Sequence, residues 1–401
     1  MRRPGKWAAL GAALALVGTA TALLATAAQG SPQQRRPIII GAAMDLTANM
    51  APYDTPALYA VQARIKEINA AGGIDGRRLR VIVCNHQLKN QKTCALQLIQ
   101  KGAVIGMVTC DVEFAAPATQ EFINKGMLAL SPCIGTDQQG PKRFGPRAGR
   151  LAFTFGNIAQ DEAAAMAEYA YARGWRRAVI VKDNLLAYFQ NVADLFKARY
   201  QELGGQVVQE ESFTSFSNTI QNAISKVAPT RADVIAFPTA FDGLAPFVGG
   251  LRQLGNSTPI INSWAGDGNY WWPQNPQVQN YYFVTYGSIY GDDPKSGVNR
   301  LVKQVTAVNK GTLPATGSFI PGADMIDGLV AAIRAANGST KGAALATQLE
   351  KFKGFQATSG KITFSKAVHG VSGRAYRVMF VNNNEAKFLR FWKTKKQAKL
   401  P

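Results

Sequence analysis

The residues able to do chemistry are few and scattered. Only two histidines occur in 401 residues. His86 follows a predicted strand, and His369 sits in a turn flanked by Gly and Ser. Neither has a nucleophile motif beside it, so both read as ordinary surface or turn residues. The chain has no G-x-S-x-G elbow, no H-E-x-x-H and no G-x-x-x-x-G-K-[ST] loop, which removes the nucleophile, zinc-hydrolase and nucleotide-binding signatures. More promising is Trp264-Ala265-Gly266-Asp267-Gly268-Asn269-Tyr270-Trp271-Trp272. A carboxylate among glycines and aromatics can meet a ligand cation or hydroxyl, or it can fold back on its own backbone as an Asx turn. Cys110-Asp111-Val112-Glu113-Phe114 and Ser131-Pro132-Cys133-Ile134-Gly135-Thr136 each follow a predicted strand. Hydroxyls and amides at a helix start can hold a carboxylate or simply cap the helix. Tyr53, before the first helix, is a cleft residue or a loop anchor.

Cys84, Cys94, Cys110 and Cys133 lie within 50 positions. Four thiols allow three pairings. Cys110 and Cys133 both end strands, and if those strands are neighbours a bridge between them is sterically reasonable. Cys84 with Cys94 is then the second pair. No CxxC pair is present, so zinc is not expected, and no other metal or cofactor is expected.

The elements that must position these residues alternate. Strands are expected at 38–41, 79–84, 103–109 and 127–131, with helices at 56–71, 92–101 and 113–125. The strands are continuous apolar runs, as in a parallel sheet covered on both faces. The first helix should stop at Gly72-Gly73. After 145–156, which has no clear period, the pattern restarts. Helices fall at 160–173, 189–203, 217–227 and 242–254, and strands at 177–182, 206–209, 233–237, 259–261 and 281–286. Three more helices (297–309, 322–337, 341–353) precede strands at 361–364, 375–381 and 387–392, the last two joined by a turn at Asn382-Asn383-Asn384. Two doubly wound α/β lobes follow, with ligands expected beyond the carboxyl ends of their strands.

The N-terminus reads as a secretory leader over 1–27: Arg2, Arg3 and Lys6, an apolar run to Leu24, then Ala25-Thr26-Ala27. A membrane anchor is the alternative reading. Residues 28–36 form a linker. The mature protein is therefore expected outside the cytoplasm, in the periplasm or beyond the cell. Of 45 Lys and Arg, three lie in the leader, so 42 face 25 Asp and Glu. These cations are dispersed and no nucleic-acid motif accompanies them, so nucleic acid is not an expected partner. Lys393, Lys395, Lys396 and Lys399 form the densest basic cluster and read as a frayed terminus.

Ile68-Asn69-Ala70-Ala71-Gly72-Gly73-Ile74-Asp75-Gly76-Arg77-Arg78-Leu79 resembles the Leu/Ile/Val-binding family of ABC-transporter substrate-binding proteins. Gly126-Met127-Leu128-Ala129-Leu130-Ser131-Pro132 resembles that family's G-x-P-x-[IL]-S-P strand, with Leu128 where the family has Pro. Gly204-Gly205-Gln206-Val207-Val208 and Ala232-Asp233-Val234-Ile235 extend the likeness over nearly all of the chain after the leader. The resemblance implies a type I periplasmic-binding fold with three crossings, near 150, 288 and 361. One lobe would be 37–150 with 288–360, the other 151–287 with 361–398. It implies a monomer that captures a small polar solute, an amino acid or an aromatic or organic acid, and passes it to an ABC-transporter permease. A ligand-sensing module for a membrane receptor is the alternative.

The family holds an amino acid's carboxylate with a serine after the third strand and a threonine shortly after S-P. The matching positions here are Cys110 and Gly135, with Thr136 one step further. Its acidic ammonium partner matches Asp267, and its aromatic cleft positions match Tyr53, Tyr188 and Phe241. A Cys110–Cys133 bridge would stand where the family places ligand contacts. With Phe114 and the tryptophans around Asp267, these departures imply a larger or aromatic ligand.

Overall fold

The structure, a computed structural model, describes residues 36–400, so the expected leader and all but the end of the linker lie outside the described residues. The first lobe is built from β1 (Ile38–Met44), α1 (Ala51–Ala70), β2 (Leu79–Asn85), α2 (Gln91–Gln100), β3 (Ile105–Val108), α3 (Val112–Asn124), β4 (Leu128–Ser131) and β5 (Ala152–Thr154). The second has α4 (Ala159–Ala172), β6 (Arg177–Asp183), α5 (Ala187–Glu202), β7 (Gln206–Phe213), α6 (Ile220–Val227), β8 (Val234–Ala236), α7 (Leu244–Gln253), β9 (Ile260–Asn262) and β10 (Tyr281–Thr285). Then follow α8 (Ser296–Val308), α9 (Phe319–Ala335), α10 (Gly342–Leu349), β11 (Lys353–Gln356), β12 (Lys361–Thr363), β13 (Tyr376–Asn382) and β14 (Glu385–Trp392).

The first sheet has the order β2-β1-β3-β4-β5 and is wholly parallel. The second runs β14-β13-β10-β9-β8-β6-β7, with β13 and β14 antiparallel at one edge. Strands β3, β4 and β8 to β10 are buried along their whole length, the consequence of helices on both faces. Helices α8 and α9 return to pack on α1 of the first lobe. The chain thus crosses between lobes three times, after β5, after β10 and after β12.

Local chemistry accounts for the element ends. Helix α1 starts at Ala51, with Pro52 in its first turn, where a missing N–H removes no bond. It ends where Gly73, at φ +78°, donates its N–H back to the Ile68 carbonyl. Asn383 and Asn384 both take positive φ and make a tight turn between β13 and β14.

Two lobe boundaries differ from the sequence reading. Residues 152–154 pair with β4 and belong to the first sheet, because three buried residues without a period give no sequence signal. The 361–364 strand pairs with β11, and Phe364 packs on Phe153 and Phe155, so it stays with the first lobe. Two buried guanidiniums tie the crossings together. Arg374 donates to the Phe155 carbonyl and to Ser359, while Arg377 pairs with Asp293 at 2.9 Å and reaches the Ser359 carbonyl.

Candidate functional site

In each sheet the chain reverses its winding direction once, between β1 and β3 in the first and between β6 and β8 in the second. Such points leave a crevice at the strand ends. The two crevices face each other. Between them lies a narrow cavity of about 20 Å³, lined by Met50, Tyr53, Cys110 and Asp111 from the first lobe. Leu186, Tyr188, Phe189, Ala240, Phe241, Trp264 and Ala265 line it from the second. A wider surface groove along α5 and the C-terminal segment is lined by charged side chains and lies away from the strand ends.

The first-lobe wall is set by carboxylates that turn the chain. Asp45, after β1, accepts the amides of Ala48 and Met50 and so bends the chain into α1. Asp54, in the first turn of α1, is fully buried and accepts the amides of Asp45 at 2.8 Å and Cys110 at 2.9 Å. Asp111 caps α3 by accepting the amides of Glu113 (2.9 Å) and Phe114 (3.1 Å). Disulfides join Cys84 to Cys94 and Cys110 to Cys133. The second is possible because β3 and β4 are hydrogen-bonded neighbours.

The second-lobe wall is aromatic. Phe241 holds φ +57°, uncommon for a bulky residue, and its ring meets Tyr53 edge-on at 6.4 Å. Trp264 lies edge-on to Tyr53 at 5.3 Å and tilted against Tyr188 at 6.0 Å. Across the cleft the Tyr53 hydroxyl donates to the Ala265 carbonyl at 2.5 Å and accepts from the Tyr270 hydroxyl at 2.7 Å. Glu162, on α4, accepts the Trp264 amide and the Tyr188 hydroxyl, both at 2.7 Å. The indole Nε1 of Trp264 is buried without a partner among the described residues.

Burial dominates the electrostatics. It raises the carboxyls of Asp54 to about 7, Glu162 to about 8 and Asp267 to about 6 against the bonds they accept. Asp111 is pushed to about 8, first by burial and then by neighbouring Glu113. Among the described residues no Lys or Arg lines the cavity.

Of the residues singled out from sequence, Tyr53, Cys110, Tyr188 and Phe241 line the cavity together. Phe114, Cys133, Thr136 and Asp267 do not. Cys133 is the far half of the disulfide, and Phe114 is half-buried on α3. Thr136 is turned to a different groove, shared with Gln160 and the C-terminal segment. Asp267 accepts the Gly268 amide at 2.6 Å, the Thr285 hydroxyl at 2.7 Å and the Gly317 amide at 2.7 Å. Its carboxylate joins the second lobe to the segment before α9, which Thr316 and Ser318 anchor to α1 through the carbonyls of Pro52 and Tyr53. Asp267 is thus an interlobe tie here, and its one local bond, to the next residue's amide, is not the Asx turn the sequence offered. The amide of Cys110, at the position where the resemblance places a carboxylate contact, is already taken by Asp54. Both histidines are buried rather than on the surface. His86 Nδ1 accepts the Leu88 amide in a turn, and His369 stacks on Phe153 at 3.8 Å. Asp111 and Phe189 were missed as lining residues. Asp111 stands in the Cys110 motif, and its N-cap signal outweighed any sign that it faced a cavity.

Two α/β lobes, crossed three times by the chain and enclosing a cavity at both winding reversals, define a cleft-type binding protein. The chain belongs to the periplasmic binding protein family, whose model matches residues 37–386. The Leu/Ile/Val-binding protein homolog 3 of Brucella melitensis is 24% identical over 82% of this chain and 87% of its own length. The Leu/Ile/Val-binding protein BraC3 of Rhizobium johnstonii is 25% identical over 87% of this chain and 93% of its own. Among solved structures, the branched-chain amino acid binding protein LivJ of Streptococcus pneumoniae, in complex with isoleucine, matches with TM-score 0.75 at 20% identity, over 89% of this chain and 99% of LivJ. A solute-binding protein of R. palustris in complex with benzoate matches with TM-score 0.74 at 16% identity, over 91% and 98% of the two chains.

Proposed function

We propose that this chain is an extracytoplasmic solute-binding protein that closes on a small solute between its lobes and delivers it, as a monomer, to an ABC-transporter permease. The observation that carries this reading is the cavity at both winding reversals, walled by side chains from both lobes. Ligand contacts made to two lobes at once exist only in the closed form, so binding shifts the population towards closure. The related proteins bind chemically different solutes on this frame, isoleucine in one and benzoate in another, so the frame does not dictate the solute. A binder rather than a catalyst fits the lining, which is aromatic and aliphatic with a single carboxylate.

The test is thermal unfolding of the oxidised protein, without residues 1–27, against amino acids, aromatic acids and organic amines. A ligand at about a hundred times its Kd adds about 2.7 kcal/mol of stability. Small-angle scattering with a hit should show a smaller radius of gyration, or an unchanged one if the free protein is already closed. Turnover of any hit, or stabilisation that survives filling the cavity, would defeat the proposal.

A further inference from the structure

The cleft's chemistry narrows the solute class. Resting on the solute-binding reading, we propose that the ligand is an organic ammonium cation without a carboxylate, boxed by the rings of Tyr53, Tyr188, Phe241 and Trp264 and paired with Asp111.

Three observations carry it. First, several of the groups that could hold a ligand anion on the first-lobe wall are already used. The amide at the end of β3, on Cys110, points at Asp54, and the amides of Glu113 and Phe114 at the start of α3 point at Asp111. The Cys110 side chain is consumed by the disulfide, and Gly135 has no side chain to offer. A ligand carboxylate placed here would lose its water without gaining a charged donor, which is costly.

Second, Tyr53 stands perpendicular to both Trp264 and Phe241, with interplanar angles of 90° and 88°. Tyr188 closes a further side against Trp264. Rings meeting at right angles make walls rather than a stack. The negative faces of such walls attract an alkylammonium, which sheds its water more readily than a carboxylate.

Third, Asp111 is a buried cavity-lining carboxyl with no cationic side chain in the lining. Among the described residues its neighbour Glu113 has Arg143, at 3.9 Å, as its one ion partner. Burial beside Glu113 raises the Asp111 carboxyl, so a ligand cation would supply the missing charge and release a proton. The unpartnered Trp264 Nε1 is one neutral donor. It packs against Gly135, and alone it is poor compensation for a desolvated carboxylate.

The experiment is calorimetric titration with tetramethylammonium, 2-phenylethylammonium, leucine and benzoate, on the parent protein and on Asp111→Asn and Phe241→Leu. Asn is as good an N-cap as Asp, so Asp111→Asn should keep its circular dichroism and melting temperature. At least one cation should bind while leucine and benzoate bind at least tenfold more weakly. Asp111→Asn should weaken cation binding tenfold or more, and Phe241→Leu several-fold. Tighter binding of leucine or benzoate than of either cation overturns the cation assignment while leaving the solute-binding reading intact. An unchanged cation affinity in Asp111→Asn overturns it too. No heat and no thermal shift with any of the four overturns the assignment and counts against the solute-binding reading as well.

Discussion

Gly135 offers a direct handle on lobe closure. It lies in the loop after β4 in the first lobe, and a Cβ there would stand 2.5 Å from Tyr188 Cε2 and 2.8 Å from Trp264 Nε1, both in the second lobe. Tyr188 cannot simply withdraw. Its hydroxyl is bonded to buried Glu162 and its ring packs on Phe189 and Trp264. Gly135 is not among the residues with positive φ, so alanine fits the backbone and the nearest conflicts lie across the cleft. Inserting a methyl group into a packed contact costs about 1–3 kcal/mol. Because the open form does not make this contact, the whole cost falls on closure. Ligand affinity should therefore fall by a factor of about 5 to 150, at about 1.4 kcal/mol per tenfold. Small-angle scattering of the ligand-free Gly135→Ala protein should show a larger radius of gyration, with a melting temperature close to that of the parent. Trimming the opposing ring, as Gly135→Ala with Tyr188→Leu, should restore the compact form. The reasoning is refuted if Gly135→Ala melts several degrees lower while its scattering and its affinity for a confirmed ligand are unchanged. The contact would then belong to the folded core and not to the moving interface.

Three further outcomes are expected. Glu162 keeps its proton in the folded state to about pH 8, whereas the unfolded chain loses it near the ordinary carboxylate value of 4.5. The folded state therefore binds more protons in that window, and stability should fall as pH rises from about 4.5 to 8 and then level off. Glu162→Gln should make this decline shallower in calorimetric scans, with Asp111, Asp54 and Asp267 leaving a residual slope across the same window. Replacing Arg377 by Leu strips buried Asp293 of its guanidinium and should cost about 3–5 kcal/mol in urea unfolding. Much of that should return in the double variant with Asp293→Asn, and equal stability of single and double variants would contradict the pairing. Removal of 393–400 should cost about 1–3 kcal/mol. The amides of Lys395 and Lys396 donate to buried Glu168, the Lys396 ammonium pairs with Glu202, and Ala398 is buried with its amide on the Gln160 carbonyl. The basic cluster is thus a docked strap rather than a frayed end, and an unchanged midpoint after truncation would reverse that conclusion.

By itself the sequence determined whatever depends on neighbours along the chain. The strand–helix alternation, the glycine stop after α1 and the Asn-rich turn between β13 and β14 are local events, set by periodicity and by φ preference. The two disulfides were within reach because their cysteines close short segments or end adjacent strands. Even the aromatic character of the cleft was legible through the family resemblance, which matched Tyr53, Tyr188 and Phe241 to aromatic cleft positions. Tertiary structure alone decided what those residues face. Asp54 and Cys110 lie 56 positions apart, and Tyr53 and Ala265 lie 212 apart. No pattern in the chain foretells that the Asp54 carboxylate takes the Cys110 amide, or that Tyr53 reaches across to a second-lobe carbonyl. Asp267 carried the local signature of a ligand carboxylate, yet Thr285 and Gly317 arrive from distant segments and saturate it. Propensity fixes an element's type and approximate ends. Which donors and acceptors are left for a solute is a remainder, known only after the whole chain has satisfied its own buried polar groups.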